Sequence, residues 1–286
     1  MLRLGKHFFE AKTRQIMAIV NRTPDSFFDR GATWEAAVAM ERVHAVVSAG
    51  ADVVDIGGVK AAPGVEVDVA EEIRRTVPFV AAVRAAYPDL IISVDTWRHE
   101  VGNEVCAAGA DLLNDSWGGW DERLAQVAAR YDAGLVCAHA GGLPPRTRPH
   151  RVAYDDVMGD VLDRTLALVR RAISVGVDPS RILIDPAHDF GKNTWHSLEV
   201  TRRLGEMEST GWPVLVSLSN KDFIGETLNV PLEERLTGTL AATAVCAWLG
   251  ARVFRVHQIP ETRMVLDMVS AIRGESPPAR VVRGLA

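Results

Sequence analysis

The sequence predicts a single (β/α)₈ barrel, and three observations carry this prediction. Short β-branched runs alternate with longer helical segments along all 286 residues. Those runs are almost continuously apolar, which is typical of parallel strands covered by helices. No linker rich in Gly, Ser or Pro and no low-complexity segment divides the chain, so residues 1–286 are expected to form one domain. An open, doubly wound sheet is the alternative architecture.

The predicted elements repeat a strand–helix unit. The apolar runs predict eight strands, at residues 16–20, 52–56, 90–94, 112–113, 135–138, 182–184, 214–216 and 252–256. The clearest helical segments between them are residues 34–49, 67–87, 122–131, 154–175 and 232–249. Thr33 is the expected N-cap of the first helix, and Gly50 follows its end. Eight such units match the closed barrel better than an open sheet.

Composition excludes several classes of protein. Thirty-two Lys and Arg against 37 Asp and Glu give a net charge of −5, which offers no broad cationic surface to a nucleic acid. Residues 1–14 lack the pattern of a secretory signal, and the longest apolar stretch, 236–249, is too short to span a bilayer. The three cysteines have no metal-binding spacing, so they read as reduced core residues of a cytoplasmic protein.

Polar side chains follow every predicted strand. They are Asn21, Asp55, Asp95, Asn114 with Asp115, His139, Asp185, the run 219–221, and Arg255 with His257. One such residue is usually a cap or a turn, but eight at the carboxyl ends of barrel strands indicate a functional site. Interior carboxylates and amides are costly unless they bond something, and a flat heterocycle with ring N–H and amino donors would satisfy them.

These motifs resemble the dihydropteroate synthases of folate biosynthesis, and the resemblance runs nearly end to end. Residues 18–27 are similar to the family's NVTPDSF signature, and residues 55–58 open its second signature. The remaining matches follow in the family's order: Val94-Asp95-Thr96, Asn114-Asp115, Ala138-His139, Asp185-Pro186, Phe190-Gly191-Lys192, residues 219–225, and Arg255-Val256-His257. So many separated matches are highly specific for the family.

The resemblance implies roles for individual residues. It implies a pterin pocket framed by Asp95, Asn114, Asp185, Phe190 and Lys221. Asn21, Arg255 and His257 would face a pyrophosphate leaving group, with Mg²⁺ shared between Asn21 and the phosphates, and Lys221, Arg255 and His257 would be catalytic. A homodimer through late helices, including residues 232–249, is also implied. The structural alternatives are helix salt bridges for Arg255 and His257, and a snorkelling Lys221.

The second signature departs from the family. The usual Glu-Ser-Thr-Arg-Pro-Gly is replaced by Val59-Lys60-Ala61-Ala62-Pro63-Gly64. By resemblance, the missing Thr and Arg contact the pyrophosphate and the aminobenzoate. Losing one charge-assisted bond to a phosphate is worth about 1.5–3 kcal/mol. Lys60 lies two positions before the lost arginine and has no planar fork, so it is not an equivalent replacement.

Further departures are expected on the same rim. Residues 140–142 replace the usual Met-Arg-Gly, Asn220 replaces an arginine, and Ser217 replaces a glycine. Pro186-Ala187-His188-Asp189 replaces a Pro-Gly-Ile-Gly stretch, so that Asp189 adds a negative charge near any anionic substrate. The sequence therefore predicts a homologue that keeps the pterin pocket and has lost or greatly weakened synthase activity.

Two other functions stay open at this stage. One is an active dihydropteroate synthase that condenses hydroxymethyl-dihydropterin pyrophosphate with 4-aminobenzoate. The other is pterin-dependent methyl transfer, which would need a corrinoid partner that residues 1–286 do not encode.

Overall fold

The computed structural model describes residues 1–23, 34–147 and 152–283. The strands in this part of the chain are β1 (Leu2–Leu4), β2 (His7–Phe9), β3 (Gln15–Asn21), β4 (Val53–Gly57), β5 (Ile91–Asp95), β6 (Leu112–Asp115), β7 (Gly134–Ala138), β8 (Ile182–Asp185), β9 (Leu215–Val216) and β10 (Val253–Val256). The last eight of these correspond to the eight predicted strands.

The eight strands form a parallel barrel. They are hydrogen-bonded in the order β8-β7-β6-β5-β4-β3-β10-β9. An isolated parallel bridge between Ile184 and Val214 joins the two ends of this sheet, and Ile184 N donates to Pro213 O at 3.0 Å. The predicted (β/α)₈ barrel is confirmed, and the open, doubly wound sheet is excluded.

Helices surround the barrel. They are α1 (Ala36–Ser48), α2 (Val69–Ala86), α3 (His99–Ala107), α4 (Leu124–Arg130), α5 (Val157–Ser174), α6 (Thr194–Arg202), α7 (Gly205–Glu208), α8 (Asp222–Leu228), α9 (Leu236–Trp248) and α10 (Ile259–Ile272). Strand side chains alternate between two cores. Outward residues such as Ile16 and Val20 pack under the helices, whereas inward ones such as Met17 and Leu183 fill the barrel.

A short antiparallel hairpin closes the amino-terminal end of the barrel. β1 and β2 pair from Leu2 with Phe9 to Leu4 with His7. The fully buried Leu2 and Leu4 belong to the same apolar cluster as the inward residues of the barrel strands. The sequence did not predict this hairpin, because three-residue strands are too short to show a period.

Helix boundaries differ from the predicted ones by a few residues. α2 and α5 begin later than expected because Asp68 and Asp156 cap them, with each side chain accepting from backbone N–H groups. α1 begins at Ala36 with Glu35 as N-cap, and Thr33 lies outside the described residues. The predicted helix 232–249 is a 3₁₀ turn, Leu232–Glu234, followed by α9.

Two expectations from composition can be compared with the described residues. Cys106, Cys137 and Cys246 are all buried and free, as expected of core residues. Within the described ranges, no helix combines the length and the apolar character needed to cross a membrane.

Candidate functional site

A cleft of about 220 Å³ opens at the carboxyl ends of the barrel strands. All of the predicted site residues line it: Asn21, Val59, Lys60, Ala61, Ala62, Asp95, Asn114, Asp185, Phe190, Lys221, Arg255 and His257. They come from separate strand ends and meet because parallel strands share one carboxyl edge. Residues 24–27 of the first signature lie outside the described residues.

Arg255 is the centre of a hydrogen-bonded network on the floor of the cleft. Its Nε donates to Asp55 Oδ2 at 2.6 Å, and its NH2 group donates to Asp95 Oδ2 at 3.0 Å. Asn114 Nδ2 and Ser93 Oγ also donate to Asp55, at 3.3 and 2.5 Å. The guanidinium therefore forms its salt bridges with carboxylates of the barrel strands, not with a helix.

Two floor carboxylates have raised pKa values because they are buried. Burial raises the pKa of Asp95 to about 6, although the charge of Arg255 and the hydrogen bond from Ser116 act in the opposite direction. Burial also raises the pKa of Asp185, whose Oδ1 accepts from Ala187 N at 2.7 Å. Both groups can accept hydrogen bonds from a ligand in the cleft, and such bonds favour the ionised form.

Lys221 lies over the face of Phe190. The distance from its Nζ to the ring centroid is 4.9 Å, and the same ammonium donates to the carbonyl oxygen of His188. Burial lowers the pKa of Lys221, while Asp189 and Asp185 raise it. The side chain is held inside the cleft, so a snorkelling lysine at the surface is excluded.

The second loop contributes apolar side chains to the cleft. Val59 and Ala61 pack on a cluster that contains Trp97, Trp117 and Phe190. The three aromatic rings are in edge contact, with centroids 6.4 Å apart for the two tryptophans and 5.1 Å apart for Trp117 and Phe190. The loop that carries polar contacts in the resembling family is thus part of an apolar wall.

Arginines fix the backbone of this loop. Arg75 donates to Gly58 O at 3.0 Å, and Arg146 donates to Ala62 O and Val65 O at 3.2 and 2.8 Å. A Cβ atom at Gly58 would lie 2.6 Å from Thr76 Cγ2 on α2, so only glycine allows the loop to approach this helix.

The loop after β8 keeps a backbone suited to glycine. Ala187 and Asp189 stand where the resembling family has glycines, and their φ angles are +48° and +68°. The left-handed region costs an L-residue about 1–2 kcal/mol, so contacts from the surroundings must hold it. Asp189 lines the cleft as predicted, and it accepts from Ser197 Oγ at 3.1 Å and Phe223 N at 3.3 Å.

The buried side chain of Lys192 helps to hold this backbone conformation. Lys192 Nζ lies 3.1, 3.3 and 3.3 Å from the carbonyl oxygens of Phe190, Ala187 and His139 and 2.6 Å from His139 Nδ1, so its three N–H groups are shared among four acceptors. His139 Nε2 contacts Asp160 Oδ1 at 2.6 Å, which fixes the proton on Nε2. Burial lowers the pKa of Lys192 to about 7 and that of His139 to about 4.

Two expected rim positions are corrected by the structure. Ala140 is buried in the cluster of Trp97 and Trp117 and does not line the cleft. Asn220 is also buried: its backbone N donates to Thr239 Oγ1 at 3.1 Å and its carbonyl accepts from Arg235 at 2.9 Å. Sequence position alone could not reveal this, because alternate residues after a strand face opposite sides.

The site also includes Thr23, Ser116 and Asp222, to which the sequence assigned no role. Ser217 and Ser219 line the cleft as well, and Asp55, expected only as a strand-end carboxylate, binds Arg255. The motif Asp-Ile-Gly-Gly at the end of β4 was a visible signal for Asp55. Its pairing with Arg255 joins residues 200 positions apart, which spacing cannot predict.

The described residues do not build a resident metal site in the cleft. Within them, one group of three possible ligands brings its atoms within 4.8 Å: His99, Glu100 and Asp121. None of these lines the cleft, and His99 is already paired with both carboxylates. Asn21 offers one amide oxygen, so Mg²⁺ there would need phosphate oxygens and water as its other ligands.

Comparison with known proteins agrees with the fold and the cleft. A family model described as "Pterin binding enzyme" matches residues 17–257. "Inactive dihydropteroate synthase 2" of Mycobacterium leprae (strain TN) is 58% identical over 280 residues, covering 96% of this chain and 96% of that protein.

Two solved structures extend this similarity. The structure of Mycobacterium tuberculosis Rv1207 superposes with a TM-score of 0.75 at 46% identity, covering 97% of this chain and 100% of that one. Yersinia pestis dihydropteroate synthase, in a sulfonamide drug complex, superposes with a TM-score of 0.90 at 33% identity, covering 96% and 99%.

A barrel with this ordered set of strand-end side chains is a pterin-binding enzyme fold. The chain belongs to the pterin-binding enzyme family. Among the relatives described above, it is similar both to a dihydropteroate synthase and to a homologue named as inactive.

Proposed function

We propose that the cleft binds a pterin and that the chain does not catalyse dihydropteroate synthesis. The observation that carries this proposal is the contrast between the two sides of the cleft. The floor retains Asp95, Asn114, Asp185 and Lys221, whereas the second loop offers Val59, Lys60, Ala61 and Ala62 and lacks the family's threonine and arginine. The mycobacterial relative at 58% identity is named an inactive synthase, which supports the same function.

The floor suits the polar edge of a pterin ring. Asp95, Asn114 and Asp185 would pair with ring N–H and amino groups, Lys221 would reach the carbonyl side, and Phe190 would contact the ring. Asp95, Asn114 and Asp185 each already have a partner within the protein, and a ligand would use their remaining lone pairs and N–H groups.

The anion contacts are weak by comparison. Synthase chemistry places negative charge on a departing pyrophosphate, and donors that bind this charge lower the barrier. Arg255 is already paired with two carboxylates, Asp55 and Asp95, and Asp189 adds another carboxylate to a cleft that Lys60 and Lys221 also line. Asn21 and His257 also line the cleft and are the contacts that we propose for phosphates, with Mg²⁺ bound only when phosphate oxygens complete its shell.

Calorimetric titration with 6-hydroxymethylpterin and with its pyrophosphate tests the proposal. We expect both ligands to bind with affinities within about threefold, because the lost charge-assisted contacts would otherwise be worth roughly ten- to hundredfold. Adding 4-aminobenzoate should release no pyrophosphate above background. Failure of both pterins to bind would refute pterin recognition, and turnover of about 1 s⁻¹ or more would establish an active synthase.

We also propose that the protein is a homodimer that uses α9 and α10. These helices pack together, and their outer faces expose Val245, Trp248, Met264, Met268 and Ile272. Several large apolar side chains exposed on two packed helices favour an interface there. A single domain over residues 1–286 and a cytoplasmic location, the latter in keeping with three free buried cysteines, complete the proposal.

A further inference from the structure

The second loop, residues 58–67, has no regular structure of its own. Among the described residues, no hydrogen bond joins its backbone to another backbone group. Residues 59–62 of this loop nevertheless line the cleft, so their positions set the shape of one of its walls. Side-chain contacts, and not a backbone ladder, therefore hold this loop.

Arginine side chains fix both ends of the loop. Arg75 donates to Gly58 O at 3.0 Å, and Arg98 donates to Val67 O at 2.6 Å. Both arginines belong to elements that neighbour the loop in the chain, since Arg75 lies on α2 and Arg98 lies directly before α3. The ends of the loop are thus held by its own part of the barrel.

The middle of the loop is held from a distant loop. Arg146, in the loop after β7, donates from Nε to Ala62 O at 3.2 Å and from NH1 to Val65 O at 2.8 Å. Within the part of the chain that the structure describes, no ion pair joins this guanidinium to a carboxylate, so its charge serves these two hydrogen bonds. They connect parts of the rim that β5 and β6 separate.

Two further features show that the contact between these loops is built into the fold. Arg146 has a φ angle of +65°, in the left-handed region that an L-residue adopts only where its surroundings hold it. Ala140, in the same loop, packs with side chains of the second loop in the cluster of Trp97 and Trp117. The two loops therefore share both hydrogen bonds and an apolar core.

We propose that Arg146 is a positioning residue that holds the second loop as a preformed wall of the cleft before any ligand binds. The inference rests on the proposed function only for its effect on a ligand. A loop that is already ordered costs no conformational entropy on binding, so Arg146 supports affinity through the loop. Arg146 itself does not line the cleft, which separates this role from direct recognition.

Digestion of the full-length protein with endoproteinase Lys-C tests the hold without a ligand. The chain has five lysines, and Lys60 lies in the second loop itself. Lys12 is exposed and reports protease activity, whereas Lys192 is buried and reports global unfolding. Wild-type cleavage after Lys60 should be about tenfold or more slower than after Lys12. Arg146→Met should speed cleavage after Lys60 about tenfold or more, without a matching rise at Lys192, because proteolysis tracks the population of the open loop.

Calorimetry with 6-hydroxymethylpterin measures the consequence for binding. We expect Arg146→Met to weaken binding about three- to tenfold, since the ligand must then order the loop. Arg146→Lys keeps a charged donor without the planar fork, so it should restore part of the affinity. Arg170→Met is the control because it removes an exposed guanidinium from α5, and it should change neither the digestion nor the affinity.

The outcomes separate this proposal from pterin recognition. If Arg146→Met leaves cleavage after Lys60 unchanged, or speeds cleavage equally at Lys192, Arg146 does not hold the loop and the proposal is overturned. If cleavage rises but the affinity stays at the wild-type value, or if Arg146→Lys binds no better than Arg146→Met, the positioning role is refuted. If the wild-type protein binds no pterin, the proposed function fails, and the digestion alone decides whether Arg146 preforms the loop.

Discussion

Arg255 and Asp95 show how one ion pair sets the behaviour of the cleft floor. Desolvation opposes the ionised form of Asp95, and the nearby Asp55 charge adds to this effect, so the pKa rises to about 6 despite Arg255. An N–H group of the pterin would donate a hydrogen bond to the ionised carboxylate. This bond would replace the hydrogen bonds that water makes to an exposed carboxylate. Ligand binding is therefore expected to release a proton at pH values below about 6.

The affinity for 6-hydroxymethylpterin should fall as the pH falls below about 6. Protonation of Asp95 removes an acceptor that the ligand needs, and this group alone lowers the affinity by at most about tenfold per pH unit. Asp185, whose pKa is raised in the same direction, contributes to the same decline. Titrations at pH 5, 6 and 7.5 measure this decline in affinity. The Asp95→Asn variant should bind 6-hydroxymethylpterin weakly, with a smaller loss of affinity on acidification. Affinity that is constant or rises on acidification would contradict this assignment.

At the scale of elements, the loop after β8 depends on one buried amine. Lys192 lies within hydrogen-bonding distance of three backbone carbonyls, two of which belong to the segment with left-handed Ala187 and Asp189. The same segment carries Phe190, which contacts Lys221 and Trp117. Lys192 is thus a positioning residue that holds the cleft without lining it.

At about pH 10, where the cost of burying the ammonium charge is nearly absent, Lys192→Met should destabilise the fold by about 1–3 kcal/mol, because it leaves buried carbonyls without a donor. The lowered pKa of about 7 gives a second readout. Between pH 7 and about 10 the unfolded chain binds more protons at this lysine, so the wild-type free energy of unfolding should rise with pH there. The variant should lack this rise. Urea denaturation at several pH values measures both effects.

A matched control is available at Lys12, which is exposed. Lys12→Met should change the free energy of unfolding by no more than about 0.5 kcal/mol and leave its pH dependence intact. A Lys192→Met protein as stable as the Lys12→Met protein, with the same pH profile, would show that the amine does not hold the loop.

The second loop and the tryptophans behind it form one packing unit. Restoring the family sequence with Val59→Glu, Lys60→Ser, Ala61→Thr and Ala62→Arg places polar groups against Trp97 and Trp117. We expect turnover to rise from near background as phosphate contacts return, and the free energy of unfolding to fall by about 1–3 kcal/mol. Dihydropteroate formation and urea denaturation measure the two changes. Wild-type turnover of about 1 s⁻¹ or more would show that the missing side chains are dispensable.

Elements with a clear hydrophobic pattern could be predicted from the sequence. Elements that are very short, or that depend on tertiary contacts, could not. Every barrel strand lies within about one or two residues of its predicted place, because buried parallel strands are continuous apolar runs. The β1–β2 hairpin has no period of its own and exists because Leu2 and Leu4 fill the end of the barrel. Two helices begin later than predicted because Asp68 and Asp156 cap them. Each cap ends the helical conformation at that residue, although the residues before it also favour a helix.

At the scale of the molecule, the site was predictable as a set of residues but not as a network. Strand ends converge by topology, so the membership of Asp95, Asn114 and Asp185 followed from the barrel. The pairing of Arg255 with Asp55 and the burial of Asn220 depend on side-chain direction and on contacts distant in sequence. For the same reason, the apolar cluster behind the second loop could not be predicted before the fold was known.

The proposed dimer is a property of the whole molecule that the monomer surface makes testable. On α10, Met264, Met268 and Ile272 follow a four-residue spacing and are 66%, 60% and 59% exposed. On the neighbouring α9, Val245 and Trp248 are 46% and 50% exposed. Moving large apolar side chains from water into an interface lowers the free energy. A stripe of them therefore favours the pairing of two copies through a two-fold axis.

The double variant Val245→Asp, Met268→Asp should convert a dimer into a monomer, because each copy would bury two unpaired carboxylates at the interface. Wild-type protein should then sediment at about twice the chain mass of 31.1 kDa, and the double variant at 31.1 kDa. Phe8→Asp is the control, since Phe8 is 63% exposed on β2 at the amino-terminal end of the barrel. It should leave the dimer intact. If the wild-type protein sediments only as a species of 31.1 kDa, the proposed dimer is wrong. If only Phe8→Asp abolishes the dimer, the interface does not lie on α9 and α10.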